Sequence, residues 1–232
     1  MISFNSDITA EVFFQKTFSE CLSKISDVSK SDDGKFFVKS DMPAWNFDQI
    51  TKKLFPKREP GSVDSILFSG KNIYFIEFKS GIEKLIDWKK FDPNKILCEV
   101  LADRPCPRLG IMRRQRDNYK EDMLLLNFQM KASDSYKTFE KMIVPKIIKQ
   151  GATTYFKCHL HFIAVVDCQR KENEVTENIL LQMSNAETFP EINHLAKIGD
   201  ALKKFERNDL WYDRVVVYDV EGFLSFLDEK FS

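Results

Sequence analysis

Two β-rich segments joined by one tight turn constrain the fold of this chain more than any other feature. Residues 62–69 and 72–80 are rich in β-branched and aromatic side chains, and only Gly70 and Lys71 separate them. Glycine at the first central position of a turn suits the type II′ geometry that joins two antiparallel strands. The second segment is apolar on both faces, which is typical of a central strand covered on both sides.

The other periodic segments predict an α/β fold. We expect helices at residues 7–28, 45–55, 118–150 (kinked at Pro145), 190–206 and 221–231, and strands at residues 35–40, 157–167 and 214–220. Residues 82–117 contain three prolines and are predicted to be an irregular insertion. Together these elements predict one domain over residues 1–232, in which helices flank a mixed central β-sheet. Its core spans about residues 7–167, and residues 168–232 form an αβα extension.

Composition narrows the class of protein. Lys+Arg and Asp+Glu balance at 35 each, so any binding of nucleic acid must depend on local patches rather than on net charge. The five cysteines are odd in number and form no C-x-x-C pair, which fits free thiols in a reducing compartment. No apolar run reaches the roughly 20 residues that a membrane helix needs. We therefore expect a soluble, intracellular, cytoplasmic protein without membrane contact.

The hairpin register brings two acidic residues together. Counting outward from Gly70 and Lys71 places Asp64 opposite Glu77 on the neighbouring strand. Cβ atoms at such positions lie about 4.5–5.5 Å apart, and like charges there destabilise a sheet unless another group offsets them. A divalent cation would do so, because one or two carboxylates commonly hold Mg²⁺ together with phosphate and water. Lys79 shares the face of Glu77, so the pattern suits phosphodiester hydrolysis.

A solvated surface arrangement is the alternative interpretation of these charges. In it, Asp64 ends a strand at the surface, and Glu77 and Lys79 form an ordinary exposed pair. However, Glu77 and Lys79 interrupt an otherwise apolar face of a strand predicted to be central. Charges are rarely buried at such positions without a partner. The register, which pairs Asp64 with Glu77, also favours a functional site.

In these residues the chain resembles the PD-(D/E)XK nuclease superfamily, which has the restriction-endonuclease-like fold. The resemblance rests on Asp64 near the start of one hairpin strand and on Glu77-Phe78-Lys79 late in the next. It extends from the first predicted helix to the strand that follows the long helix. The motif is short, so the element order and the hairpin register carry most of the resemblance. Val63 stands before Asp64 where the literal motif has proline.

The resemblance implies a fold, a cofactor and roles for the motif residues. The fold would be an αβββαβ core with a C-terminal αβα extension. Asp64, Glu77 and the backbone carbonyl of Phe78 would bind Mg²⁺ or Mn²⁺, and Lys79 would be the catalytic lysine. DNA would be a more frequent substrate than RNA in such a family.

The resemblance also suggests further site residues on two helices. Some members place a glutamate of the first helix in the metal site, and Glu11 is the candidate because it lies on the inward stripe of that helix. A helix-end glutamate stabilised by the helix dipole is the equally open alternative. On the long helix, Gln129 and Lys131 flank the apolar stripe and are candidates for contact with phosphate or the attacking water, although a solvated helix flank would explain them as well.

A group of arginines close together in the sequence is the best candidate for a nucleic-acid-binding site. It contains no acidic residue and consists of Arg104, Arg108, Arg113, Arg114 and Arg116. Arginine forks fit phosphate oxygens. The expected function is therefore metal-dependent hydrolysis of nucleic acid. Two alternatives remain open, namely an inactive nuclease-like binding or assembly module and a toxin or defence nuclease gated by a partner; a homodimer or another protein partner is compatible with each.

Overall fold

A six-stranded mixed β-sheet forms the centre of the protein. The computed structural model describes residues 9–31, 34–80, 107–150, 158–167, 190–206 and 211–231, with the backbone alone at 107–121 and 190–194. The strands, which lie side by side in chain order, are β1 (Leu22–Lys24), β2 (Pro43–Asn46), β3 (Ser65–Ser69), β4 (Asn72–Lys79), β5 (His159–Val166) and β6 (Arg214–Asp219). Strands β1 to β4 pair antiparallel, whereas β5 and β6 continue the sheet parallel to β4. The predicted α/β class with a mixed sheet is confirmed.

Helices cover both faces of this sheet. They are α1 (Ala10–Thr17), α2 (Ile25–Val28), α3 (Phe47–Leu54), α4 (Pro107–Thr138), α5 (Val144–Lys149), α6 (Pro190–Lys203) and α7 (Val220–Phe231). One core, which contains Phe75 of β4, lies beneath α1, α3, α4, α5 and α6. The other core contains Tyr74 and Phe78 of β4 and lies beneath α2 and α7. Among the described helices, none is long and apolar enough to span a membrane.

The hairpin of β3 and β4 has the register that the sequence predicts. Ser69 pairs with Asn72 across the turn, and Ser65 pairs with Ile76 near the other end. Gly70 has a φ of 58°, a conformation that residues with a Cβ atom rarely adopt. The glycine therefore fixes which residues of the two strands face each other.

The predicted helix over residues 7–28 is wrong beyond its first half. Helix α1 is capped by the Thr9 hydroxyl, which accepts a 3.2 Å hydrogen bond from the Val12 amide, and it ends at Thr17. The chain then pairs as β1 with β2. Phe18 and Cys21 remain buried in the same core although they are not in α1. Their apolar spacing was real, but it arose from a bent chain rather than one helix.

The predicted strand at residues 35–40 is also wrong, because serine side chains bond its backbone. The Ser29 hydroxyl bonds both the N–H and the carbonyl of Val38, at 3.1 and 3.2 Å. The Ser26 hydroxyl does the same for Ser40, at 2.9 and 2.7 Å. Such bonds compete with strand pairing. The neighbouring strand is β2 instead, and the helix predicted from residue 45 begins two residues later, after the Asn46 side chain caps it.

The long helix starts earlier than predicted and contains an irregular segment where the kink was expected. Helix α4 begins at Pro107, so residues 107–117 are helical rather than irregular. The rest of the predicted insertion, residues 82–106, lies outside the described residues. A π-helical segment, Phe139–Ile143, joins α4 to α5. Pro145 has no N–H to bond the carbonyl four residues before it, which explains the change of helix type.

The remaining predicted strands and helices agree with the structure. Strand β5, helix α6, strand β6 and helix α7 lie within the segments predicted for them to within a few residues. The C-terminal elements extend the central sheet, since β6 pairs with β5 from Arg214 to Asp219.

Tyr212 fixes α4 against the sheet, and its hydroxyl can be tested by substitution. The hydroxyl is buried and donates a 2.9 Å hydrogen bond to the carbonyl of Ala132. We expect Tyr212→Phe to lower the free energy of unfolding by about 1 kcal/mol, since one buried hydrogen bond is lost. Urea denaturation measures this. Tyr218→Phe is the matched control, because the Tyr218 hydroxyl has no hydrogen bond within the described chain; an equal loss in both variants would contradict the assignment.

Candidate active site

Asp64 and Glu77 lie across from each other at one end of the hairpin. Asp64 immediately precedes β3, whose first residue, Ser65, pairs with Ile76. The Asp64 Oδ2 atom accepts a 2.6 Å hydrogen bond from the backbone amide of Phe78. Only 18% of the Asp64 side chain and 1% of the Glu77 side chain are exposed. The structure thus brings together the two carboxylates that the sequence pairs, and it buries Glu77 and partly buries Asp64.

Lys131 of helix α4 supplies the positive charge between these carboxylates. Its Nζ atom lies 2.7 Å from Glu77 Oε1 and 2.9 Å from Glu77 Oε2. The same atom lies 3.5 Å from Asp64 Oδ1. Lys131 was predicted to touch phosphate or water, but its observed partners are the two acids themselves.

The environment changes the acidity of all three groups. Burial raises the pKa of Asp64 to about 6 from its ordinary value of 3.8, against the opposing pull of Lys131 and the Phe78 amide. Burial and the neighbouring charge of Asp64 raise the pKa of Glu77 well above its ordinary range. For Lys131, burial alone would lower the pKa, but the two carboxylates outweigh it and raise the pKa. Both carboxyl groups therefore keep a proton to higher pH than they would in water.

A third acid, Asp48, belongs to this electrostatic group. The amide of Phe47 donates a 3.0 Å hydrogen bond to the backbone carbonyl of Asp64, which places the first turn of α3 beside the site. The charge of Asp48 raises the pKa of Asp64 and that of Glu77, and the Ser62 hydroxyl donates a short hydrogen bond to the Asp48 carboxylate. Sequence reasoning missed Asp48, because nothing in the local pattern links α3 to the hairpin end.

Helix α4 also holds the segment that carries Asp64. In residues 61–64, called the Asp64 loop here, the Val63 amide donates a 2.8 Å hydrogen bond to the Ser135 hydroxyl. The Gly61 amide donates a 3.2 Å hydrogen bond to Asp134 Oδ2. Asp134 and Ser135 follow Lys131 by three and four positions, so all three side chains lie on one side of α4. One helix face thus orients both the Asp64 loop and the Lys131 ammonium.

A cleft opens beside Asp64 at the end of β4. It has a volume of about 200 Å³ and is lined by Val28, Ser29, Lys30, Ser31, Phe37, Asp64, Phe78, Lys79 and Ser80. Lys79 therefore lies next to Asp64 but, within the described residues, forms no ion pair with Asp64 or Glu77. The contact predicted for Lys79 is made by Lys131. Phe78 reaches the site through its amide, and a metal-binding role for its carbonyl stays a prediction.

Two predicted site residues form no bond with the carboxylates in the described structure. Glu11 is partly buried in the first turn of α1 and has no hydrogen bond or ion pair to the acids among the described residues. The Gln129 side-chain amide bonds α6 and the turn after it, through the Ala201 carbonyl at 3.2 Å and the Lys204 ammonium at 2.8 Å. A metal-binding role for Glu11 and a phosphate contact for Gln129 stay predictions.

The arginines predicted to bind nucleic acid lie far from the acids along α4. Arg104 lies outside the described residues, and for Arg108, Arg113, Arg114 and Arg116 the structure gives only the backbone of α4. At 1.5 Å per residue, that stretch of helix lies roughly 22–35 Å from Lys131 along the axis. Contact of these arginines with nucleic acid stays a prediction.

Comparisons with known proteins give no further constraint. No family model, no curated protein and no solved structure matches this chain. Within the described ranges, no group of three or more His, Cys, Asp and Glu side chains is arranged to hold a metal ion. The features of this chain that bear on its function are therefore the two carboxylates, Lys131 and the cleft.

The raised pKa of Asp64 predicts a pH-dependent stability difference. Because its folded-state pKa of about 6 exceeds the ordinary 3.8, the folded protein binds more protons than the unfolded chain between these values. Ionised Asp64 thus destabilises the fold, and this penalty grows as the pH rises from about 4 to about 6. We expect Asp64→Asn to be more stable than the wild type by about 3 kcal/mol above pH 7, with the difference vanishing near pH 4.

Urea denaturation across this pH range, with a chelator present, measures the difference. Asp41→Asn is the control, because Asp41 forms an exposed ion pair with Lys24 at 2.8 Å. Its stability should differ little from that of the wild type at any pH. A pH-independent effect of Asp64→Asn would contradict the assigned pKa.

The bond between the Asp64 loop and α4 yields a second prediction. In Ser135→Ala, the buried Val63 amide loses its acceptor, so we expect the free energy of unfolding to fall by about 1–3 kcal/mol. Chemical denaturation is the measurement. Ser225→Ala removes an exposed hydroxyl that bonds a helix carbonyl and should change stability by less than about 0.5 kcal/mol. Equal effects of the two substitutions would show that the loop does not depend on Ser135.

Proposed function

We propose that this protein is a metal-dependent nuclease of the PD-(D/E)XK type that hydrolyses phosphodiester bonds with Mg²⁺ or Mn²⁺. One observation carries the proposal: oxygens of Asp64 and Glu77 converge on a single cationic atom at 3.5 and 2.7 Å. One buried and one partly buried acid that face a single position form an oxygen donor set suited to a hard cation. Asp64 also lines the cleft, so a ligand in the cleft would contact one of the two acids.

The donor chemistry and the charge of the site fit a divalent ion. Mg²⁺ commonly uses one or two protein carboxylates and completes its shell with water and substrate phosphate, so a third acidic ligand is not needed. Burial and the neighbouring acidic charges raise the pKa values of Asp64 and Glu77, and a divalent cation held between them would favour their ionised forms. Asp64 and Glu77 would hold the ion, and Asp48 would add to its electrostatic attraction.

The roles of the chain's own residues follow from their positions. A bound Mg²⁺ or Mn²⁺ would polarise the scissile phosphate and acidify a water molecule. The Lys131 ammonium lies close enough to stabilise negative charge on a phosphate held at the same acids. Lys79 and Lys30 line the adjoining cleft and favour an anionic ligand there. This gives Lys131 the part that the motif assigns to Lys79.

Nucleic acid is the substrate class that this arrangement supports. Asp64 lines a cleft whose basic residues, Lys30 and Lys79, suit the phosphate groups of a nucleic acid. The arginine run at the start of α4 would add contacts far from the acids. Preference for DNA over RNA follows only from the resemblance to the nuclease superfamily.

An inactive nuclease-like module is the second candidate, and the Lys131 contacts favour it. An ammonium that bonds both Glu77 oxygens can serve as a purely structural partner for a buried acid. In that case the acids, Lys131 and Asp48 would stabilise one arrangement of the hairpin and of α4 without catalysing a reaction.

Nuclease assays separate the two candidates. Labelled single-stranded and double-stranded DNA and RNA are incubated with the wild type in Mg²⁺, Mn²⁺ or a chelator. We expect metal-dependent cleavage that falls roughly a hundredfold or more in Asp64→Asn and Glu77→Gln, because several kcal/mol of transition-state stabilisation are lost. Asp41→Asn is the control and should retain full activity.

Each outcome of these assays distinguishes the active nuclease from the inactive module or from a contaminant. Cleavage that is the same in the wild type and in both site variants would reveal a contaminating nuclease. No cleavage of any of the four substrates in either metal would favour the inactive module. Retained solubility and unchanged circular dichroism of each variant show that lost activity does not reflect unfolding.

A further inference from the structure

Lys131 occupies the position that a metal ion would share with Asp64 and Glu77. Its ammonium lies 2.7 and 2.9 Å from the two Glu77 oxygens and 3.5 Å from Asp64 Oδ1. The ammonium donates a hydrogen bond to Glu77 Oε2 and forms ion pairs with Glu77 Oε1 and Asp64 Oδ1. The side chain comes from helix α4, whereas both acids belong to the hairpin and the loop before it.

We infer that Lys131 is a built-in cation that competes with the divalent metal ion for Asp64 and Glu77; this inference rests on the proposed function. An ion such as Mg²⁺ binds carboxylate oxygens at about 2.0–2.1 Å. It cannot bind the Glu77 oxygens while the ammonium remains within hydrogen-bonding distance of both, because two cations would then lie within a few ångströms in a site with little water. Metal entry therefore requires the Lys131 side chain to withdraw.

The surroundings of Lys131 allow such a movement. About a quarter of its side chain is exposed, at 24%, so the ammonium has a path to solvent, whereas Glu77 is 1% exposed. The four-carbon stem of lysine is flexible, and its ammonium can find new partners without a change in the helix. Hydrogen bonds from the Asp64 loop to Asp134 and Ser135 keep α4 in place when the side chain moves.

Competition explains why the acids can be buried together before any metal binds. Without Lys131, Asp64 and Glu77 would be like charges opposite each other, with Asp48 nearby. The ammonium keeps the two acids in one orientation, and a substrate phosphate offers it a new partner when it leaves. Lys131 is thus a positioning residue in the free protein, and it makes the uptake of metal and that of phosphate mutually favourable.

Metal affinity tests this inference without any measurement of nuclease activity. Isothermal titration calorimetry with Mn²⁺ is carried out on the wild type, Lys131→Met and Lys53→Met. Lys53 is the matched control, since it forms an exposed 2.5 Å ion pair with Glu20. We expect Lys131→Met to bind Mn²⁺ at least about tenfold more tightly than the wild type, because a competing charge is removed. Lys53→Met should bind as the wild type does.

Thermal unfolding gives a second readout and deals with a variant that folds poorly. Lys131→Met should have a lower melting temperature without metal, because it leaves Glu77 without its cation, and Mn²⁺ should raise that temperature more than it does in the wild type. If Lys131→Met is unfolded without metal, refolding with Mn²⁺ decides: recovery of the native circular dichroism supports the competition, and failure to recover overturns it.

The results also separate this inference from the proposed function. Mn²⁺ binding that is lost in Asp64→Asn but is equal or weaker in Lys131→Met would overturn the competition and leave the metal site intact. If neither the wild type nor Lys131→Met binds Mn²⁺, the metal site itself is refuted and the competition with it. Tighter binding in Lys131→Met that disappears in Lys131→Met/Asp64→Asn supports both.

Discussion

The contact between the Lys131 ammonium and the Glu77 carboxylate is the interaction on which the rest of the structure depends. Glu77 is 1% exposed in the middle of a sheet, where an isolated carboxylate would cost several kcal/mol. The ammonium offsets this cost only if α4 lies directly over the end of β4. The Tyr212 hydroxyl, which bonds the residue after Lys131, and the bonds to the Asp64 loop hold α4 there. Packing and charge thus together determine where helix α4 lies on the sheet.

This arrangement sets stability against chemistry. A core of apolar residues at the same positions would avoid the desolvation of two acids and a lysine, so the cluster is not the most stable solution for the fold. Groups with shifted pKa values that face a cleft are a common property of functional sites. The proposed nuclease would keep this unfavourable electrostatic energy because a metal ion and a phosphate relieve it.

Features that depend on residues close together in the sequence could be predicted, whereas features that depend on the packing of distant segments could not. The register that pairs Asp64 with Glu77 was predictable, because a turn glycine and two-residue alternation are local signals. The N-terminal helix was overextended because an apolar stripe continued through a bend. Asp48 and the ion pairs of Lys131 with the two acids were missed, since both depend on how separate helices pack against the hairpin. Such packing leaves no mark in a local pattern.

The continuity of α4 has a consequence for the size of any bound nucleic acid. The helix runs without interruption from Pro107 to Thr138, so the backbone that bears Arg108 to Arg116 and the lysine at the acids are parts of one rigid rod. Their separation, roughly 22–35 Å at 1.5 Å per residue, equals about 7–10 base pairs at 3.4 Å per step. A duplex that lies along this helix and contacts both ends must therefore span about two thirds of a turn to nearly a full turn. Shorter oligonucleotides could engage one end at a time.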